Sequence, residues 1–85
     1  MMNEYRVVYE CKDGKRFGFD FESNRRIVRN SQINLMTNPL LEEVWQEINK
    51  RKANPKNKMH QHGGYKKLFC IKNKRTGTAQ YYDIW

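Results

Sequence analysis

Eighty-five residues fit one small domain, of a size that buries about 60% of the surface its unfolded chain exposes. Aromatic residues make up 13% of the chain, which excludes a disordered segment, and no apolar run approaches the roughly 18–20 residues of a membrane span. Two cysteines, Cys11 and Cys70, are too few for a disulfide framework, and Met1-Met2-Asn3-Glu4 lacks the basic start and apolar stretch of a signal peptide, so a cytoplasmic protein with no membrane partner is expected.

Residues 1–29 read as an N-terminal hairpin followed by a short third strand. Tyr5, Val7, Tyr9 and Cys11 alternate with Arg6, Val8 and Glu10, and Phe17, Phe19 and Phe21 alternate with Arg16, Gly18 and Asp20. The turn lies in Lys12-Asp13-Gly14, and its length decides which faces meet. A two-residue turn would set the phenylalanines opposite Arg6, Val8 and Glu10. A three-residue loop with a left-handed Gly14 sets them beside Tyr5, Val7 and Tyr9 instead. It also pairs Glu10 with Arg16 and Arg6 with Asp20, so the three-residue loop is expected. After the turn at Ser23-Asn24, Arg25–Arg29 is read as a return strand.

A helix is expected over residues 38–52. Asn38 suits the N-cap and Pro39 the first helical position, with Glu42 and Glu43 near the positive end of the dipole. Leu40, Leu41, Val44, Trp45 and Ile48 form one apolar stripe, and Asn54-Pro55 ends the helix. Residues 53–64 read as a basic loop with little to pack, in which Gly63-Gly64 is a flexible joint. Residues 65–85 read as a second hairpin about residues 73–77. Its faces stay open, because Leu68/Cys70 and Phe69/Ile71 are equally apolar. The fold expected is therefore α+β: a small antiparallel sheet of two hairpins and a short fifth strand, with one amphipathic helix on one face. Phe17, Phe19, Phe21, Val7, Leu41, Val44, Trp45 and Ile48 are the expected core.

The net charge of +8 is unevenly placed. Residues 1–47 carry seven basic and eight acidic side chains, whereas residues 48–85 carry ten basic side chains and one acid, Asp83. A single-sign stretch costs stability by self-repulsion, so an acid-free run from Ile48 to Tyr82 points to an anionic partner. Lys50, Arg51, Lys52, Lys56 and Lys58 run off the helix into the loop. Lys66, Lys67, Lys72, Lys74 and Arg75 continue along the second hairpin. Among them stand Tyr65, Phe69, Tyr81 and Tyr82, residue types that stack on unpaired bases. Lysine suits phosphate contact more than base reading, so these residues are expected to bind the backbone of RNA or single strands, ahead of duplex DNA.

Two other readings compete. The same charge would steer a small interaction module or inhibitor onto an acidic protein or nucleoprotein surface. Alternatively, His60 and His62 would serve as acid and base in a metal-independent ribonuclease. An H-x-H pair with Cys70 falls short of a metal site, because no further ligand has suitable spacing, and no nucleotide-cofactor motif occurs. No cofactor or metal is expected, and either hairpin offers an edge through which two copies would pair. The abundance of Lys and Asn suits a phage or mobile-element genome.

Overall fold

The computed structural model describes residues 2–25 and 39–84. Four strands, β1 (Asn3–Cys11), β2 (Arg16–Ser23), β3 (Tyr65–Asn73) and β4 (Ala79–Ile84), form one antiparallel sheet in the order β2-β1-β3-β4. One helix, α1 (Pro39–Ala53), packs on one face, so the expected α+β class holds. The return strand read into Arg25–Arg29 falls almost wholly outside the described residues, as does Asn38. None of the helices among the described residues is long and apolar enough to cross a membrane.

The first hairpin takes the register that its charge pairs favour. Tyr5, Val7 and Tyr9 stand opposite Phe21, Phe19 and Phe17, with Glu10 opposite Arg16 and Arg6 opposite Asp20. Gly14 takes a φ of 93°, and its amide donates to the Cys11 carbonyl at 3.0 Å. A side chain there would be strained, which is why the loop closes on glycine.

Odd-numbered β1 residues therefore face the helix. Tyr5, Val7, Tyr9, Cys11, Phe19, Leu40, Leu41, Val44 and Ile48 join Leu68, Ile71 and Tyr82 in one buried cluster. Phe17, Phe21 and Trp45 pack against its rim rather than inside it. The end of β2 is tied to the helix by Ser23, whose buried hydroxyl donates to the Glu43 carboxylate.

Residues 53–64 are more ordered than their composition suggests. Lys58–His62 form a 3₁₀ helix whose N-cap, Asn57, accepts from the Met59 amide at 3.0 Å. This turn plugs Met59 into the core at 0% exposure. Gly63 and Gly64 have φ values of 85° and 89°, so they are turn residues with a set conformation rather than a flexible joint. The segment is fastened to the first hairpin loop, with Lys12 N–H donating to Gly64 O at 3.0 Å and Asp13 N–H to His62 O at 3.2 Å.

A bulge settles the faces of the second hairpin. The β1–β3 register shifts between Val8 and Tyr9, so Val8 meets Cys70 while Tyr9 meets Leu68 and Phe69 is the extra residue. Leu68 and Ile71 thus both enter the core, and Phe69 and Cys70 both lie on the sheet face away from the helix. On β4, Tyr82 is buried while Tyr81 is 64% exposed.

Candidate nucleic-acid interface

The sheet face opposite the helix carries charged side chains from three strands around a small aromatic centre. Arg16 leaves β2, crosses β1 and lays its guanidinium 3.8 Å from the Phe69 ring centroid. Phe69 meets Tyr81 edge-on at 5.5 Å. A cation over an aromatic face is attractive in itself, and the two rings hold each other's orientation. Tyr81 keeps an exposed ring beside this stack.

Charges separated in the sequence are mixed in space. Glu10, whose side chain is only 12% exposed, lies 3.1 Å from Arg16 Nε and 4.0 Å from Lys66 Nζ. Asp20 bridges Arg6 at 3.2 Å and Lys74 at 3.4 Å. The Arg6 hydrogen bond, reinforced by Lys74, holds the Asp20 carboxyl below its ordinary value. With Lys72 beside them, Arg6, Asp20 and Lys74 line a shallow depression of about 370 Å³. Each of the two carboxylates is thus shared by two cations, and Lys72 has no carboxylate partner among the described residues. The surface keeps an excess of positive charge. At the far end of the first hairpin Glu4 stands opposite Glu22, which bounds the cationic area on that side.

Gly18 makes room for this arrangement. A Cβ there would come within 2.7 Å of Arg6 Nε, so the Arg6 side chain lies across the glycine on its way to Asp20. The absent side chain lets a guanidinium lie flat on the sheet.

The residues singled out from the sequence divide into two groups. Lys66, Lys72, Lys74 and Tyr81 belong to the open sheet face, Lys67 stands opposite Glu10, and Arg75 lies in the exposed β3–β4 turn. Lys50, Arg51 and Lys52 end the helix on the other side. Lys52 Nζ sits 5.4 Å from the Tyr65 ring centroid and 5.9 Å from that of Trp45. Tyr65 packs against Trp45 and Tyr9, and burial pushes its phenol up, opposed in part by the Leu68 backbone amide. Arg51, Lys56 and Lys58 instead share a cleft beside the outer edge of β2.

Two contributors escaped the sequence reading. Arg6 and Arg16 come from the near-neutral half, whereas Phe69 was read as a stacking residue with its face left open. The cross-strand pairs of the first hairpin already placed both arginines on the solvent face. What was missing was the pairing of β1 with β3, which sets them beside the basic strand.

The histidines are held separately. His62 Nδ1 lies 2.7 Å from Asp13 Oδ2, and its ring meets Phe17 at 5.2 Å. His60 Nε2 lies 2.9 Å from the Asn54 carbonyl oxygen. Cys11 and Cys70 are unpaired and buried, and desolvation raises both thiols. Among the described residues, no three His, Cys, Asp or Glu side chains gather into a metal-binding group. Comparison with protein-family models, with curated proteins and with solved structures finds no match for this chain.

Proposed function

We propose that this protein binds nucleic acid in the cytoplasm through the open face of its sheet, taking RNA or single strands ahead of duplex DNA, and that it works by binding rather than by catalysis. The observation that carries the reading is the exposed Tyr81 ring beside the Arg16–Phe69 stack, bordered by Arg6, Lys66, Lys72 and Lys74. Phosphates would meet the cations with release of counterions, and an unpaired base would stack on Tyr81. A flat sheet admits splayed single-stranded bases, whereas reading a duplex calls for an element that enters a groove.

The test is fluorescence anisotropy with a labelled pyrimidine-rich RNA and a duplex DNA of matched length. The single strand is expected to bind more tightly, with an affinity that falls steeply as salt rises. Lys66→Glu combined with Lys67→Glu should weaken it. Absence of binding at low salt would overturn the proposal.

A second reading rests on the same residues, since Tyr and Arg at the centre of a polar rim also anchor protein interfaces. An acidic protein partner retained after nuclease treatment, by a chain that fails to bind the oligonucleotides, would establish that reading instead.

A further inference from the structure

The cleft beside the outer edge of β2 has a chemistry of its own. It encloses about 360 Å³, near the lower end of the size range for small-molecule sites. Arg51, Lys56 and Lys58 line it together with the half-buried Phe17, Gly18 and the nearly buried Tyr9. Asn54 and Asn57 complete the lining, and their hydrogen bonds fix which way each amide points. Asn54 Oδ1 accepts from the Lys56 amide at 3.0 Å. Asn57 Oδ1 accepts from the Met59 amide at 3.0 Å and from the Tyr9 hydroxyl at 3.4 Å. Both acceptor positions of Asn57 Oδ1 are thereby engaged and one of the two on Asn54 Oδ1, while the NH₂ groups of both side chains remain as donors.

The same is true of the cations. Arg51 is held by Glu47, 3.5 Å from its terminal nitrogen, and lies 4.1 Å from the Phe19 ring centroid. Its Nε–H is buried without a hydrogen-bond partner among the described residues, an arrangement that a ligand oxygen would relieve after a small adjustment. No carboxylate lines the cleft. Donor groups thus predominate among the polar side chains that line this volume, and three of them carry positive charge. The fitting ligand is an anion rich in acceptor oxygens, attached to a body that fills the space against Phe17.

We infer that this cleft is a second binding site, distinct from the sheet face, and that it takes a phosphate monoester of about the size of a nucleoside 5′-monophosphate. The phosphate meets Arg51, Lys56 and Lys58, the asparagine NH₂ groups donate to its oxygens, and the sugar or base rests against Phe17. This site does not depend on the sheet-face reading, since none of its three cations belongs to that face.

The test is a titration of the isotopically labelled full chain with uridine 5′-monophosphate, followed by amide chemical shifts. Shifts are expected at residues 54–58 and at the side-chain NH₂ groups of Asn54 and Asn57, with a dissociation constant below about 1 mM at low salt. Uridine and inorganic phosphate should each bind at least about tenfold more weakly, and Lys56→Gln combined with Lys58→Gln should weaken the nucleotide about tenfold. Lys72→Gln combined with Lys74→Gln should leave it unchanged. Equal binding of uridine or of inorganic phosphate would overturn the assignment. So would shifts confined to Phe69 and Tyr81, or an unaffected Lys56/Lys58 variant. Failure of oligonucleotides to bind the sheet face would leave these outcomes as they are, so the two proposals fail separately.

Discussion

The Arg16 guanidinium lies 3.8 Å from the Phe69 ring centroid although the two residues belong to strands that are not neighbours in the sheet. Between them runs β1, and Glu10 on that strand receives Arg16 Nε at 3.1 Å. One side chain thus joins three strands, satisfying a nearly buried carboxylate and covering a ring that a bulge turned outward. Arg16→Ala should lower stability by about 1–2 kcal/mol, through lost cation–aromatic contact and an under-paired Glu10. Arg16→Lys should fall between, because it keeps the charge but not the planar stack. Urea unfolding measures both, and an alanine variant within about 0.5 kcal/mol of wild type would contradict this role.

Gly18 separates stability from binding. Adding a Cβ there places an atom 2.7 Å from Arg6 Nε, at the far end of a flexible side chain that can move aside. Gly18→Ala should therefore change stability by no more than about 0.5 kcal/mol while displacing Arg6 from Asp20. RNA affinity should fall. Thermal unfolding together with anisotropy checks the pair of outcomes, and unchanged affinity would remove Arg6 from the interface.

Met59 is the test of the 3₁₀ turn. Its side chain is fully buried, and its neighbours in sequence leave few other apolar groups to replace it. Met59→Ala should cost about 2–4 kcal/mol, a large share of what a chain this short can hold. A loss below about 1 kcal/mol in urea unfolding would mean the segment contributes little to the core.

The titrating groups set the pH limits. The Lys15 amide, joined by His62, lowers the Asp13 carboxyl, and the Arg6 hydrogen bond lowers that of Asp20. A carboxyl depressed by folding contributes stability above its ordinary value of 3.8 that is lost as pH falls through the folded value. Burial pushes the Tyr82 phenol up to about 12, with Tyr5 adding to the rise. Its contribution is whole below the ordinary value of 10.0 and is lost as pH rises through about 12. Urea midpoints should therefore decline on both sides of neutrality. Asp13→Asn combined with Asp20→Asn should flatten the acid side, and an unchanged acid limb would contradict the pairing.

The first hairpin was legible in the sequence because strict alternation, a glycine at the turn and two charge pairs all favoured one register. The helix was legible for similar reasons, from its stripe and its Asn54-Pro55 stop. The 3₁₀ turn was not, since a lone Met59 among polar residues carries no periodic signal. The second hairpin was ambiguous for a physical reason: a bulge breaks the alternation, so Leu68 and Ile71 share a face that period-two reading assigns to neither pairing. The basic strand was found by charge alone, but its partners Arg6 and Arg16 were hidden by the acids that flank them in sequence. Only the pairing of β1 with β3 brings Arg16 to Phe69 and Arg6 beside Lys72, and leaves Glu10 and Asp20 shared between cations.

The central claim, that the open sheet face binds nucleic acid through its phosphates, is tested most directly by salt dependence. The logarithm of the RNA association constant should fall linearly with the logarithm of salt concentration, by about 0.7 for each phosphate contact on a single strand. Lys72→Gln combined with Lys74→Gln removes two cations and should reduce that slope by about 1.4 while the chain stays folded. An affinity insensitive to salt, or a slope unchanged in the double variant, would contradict the account.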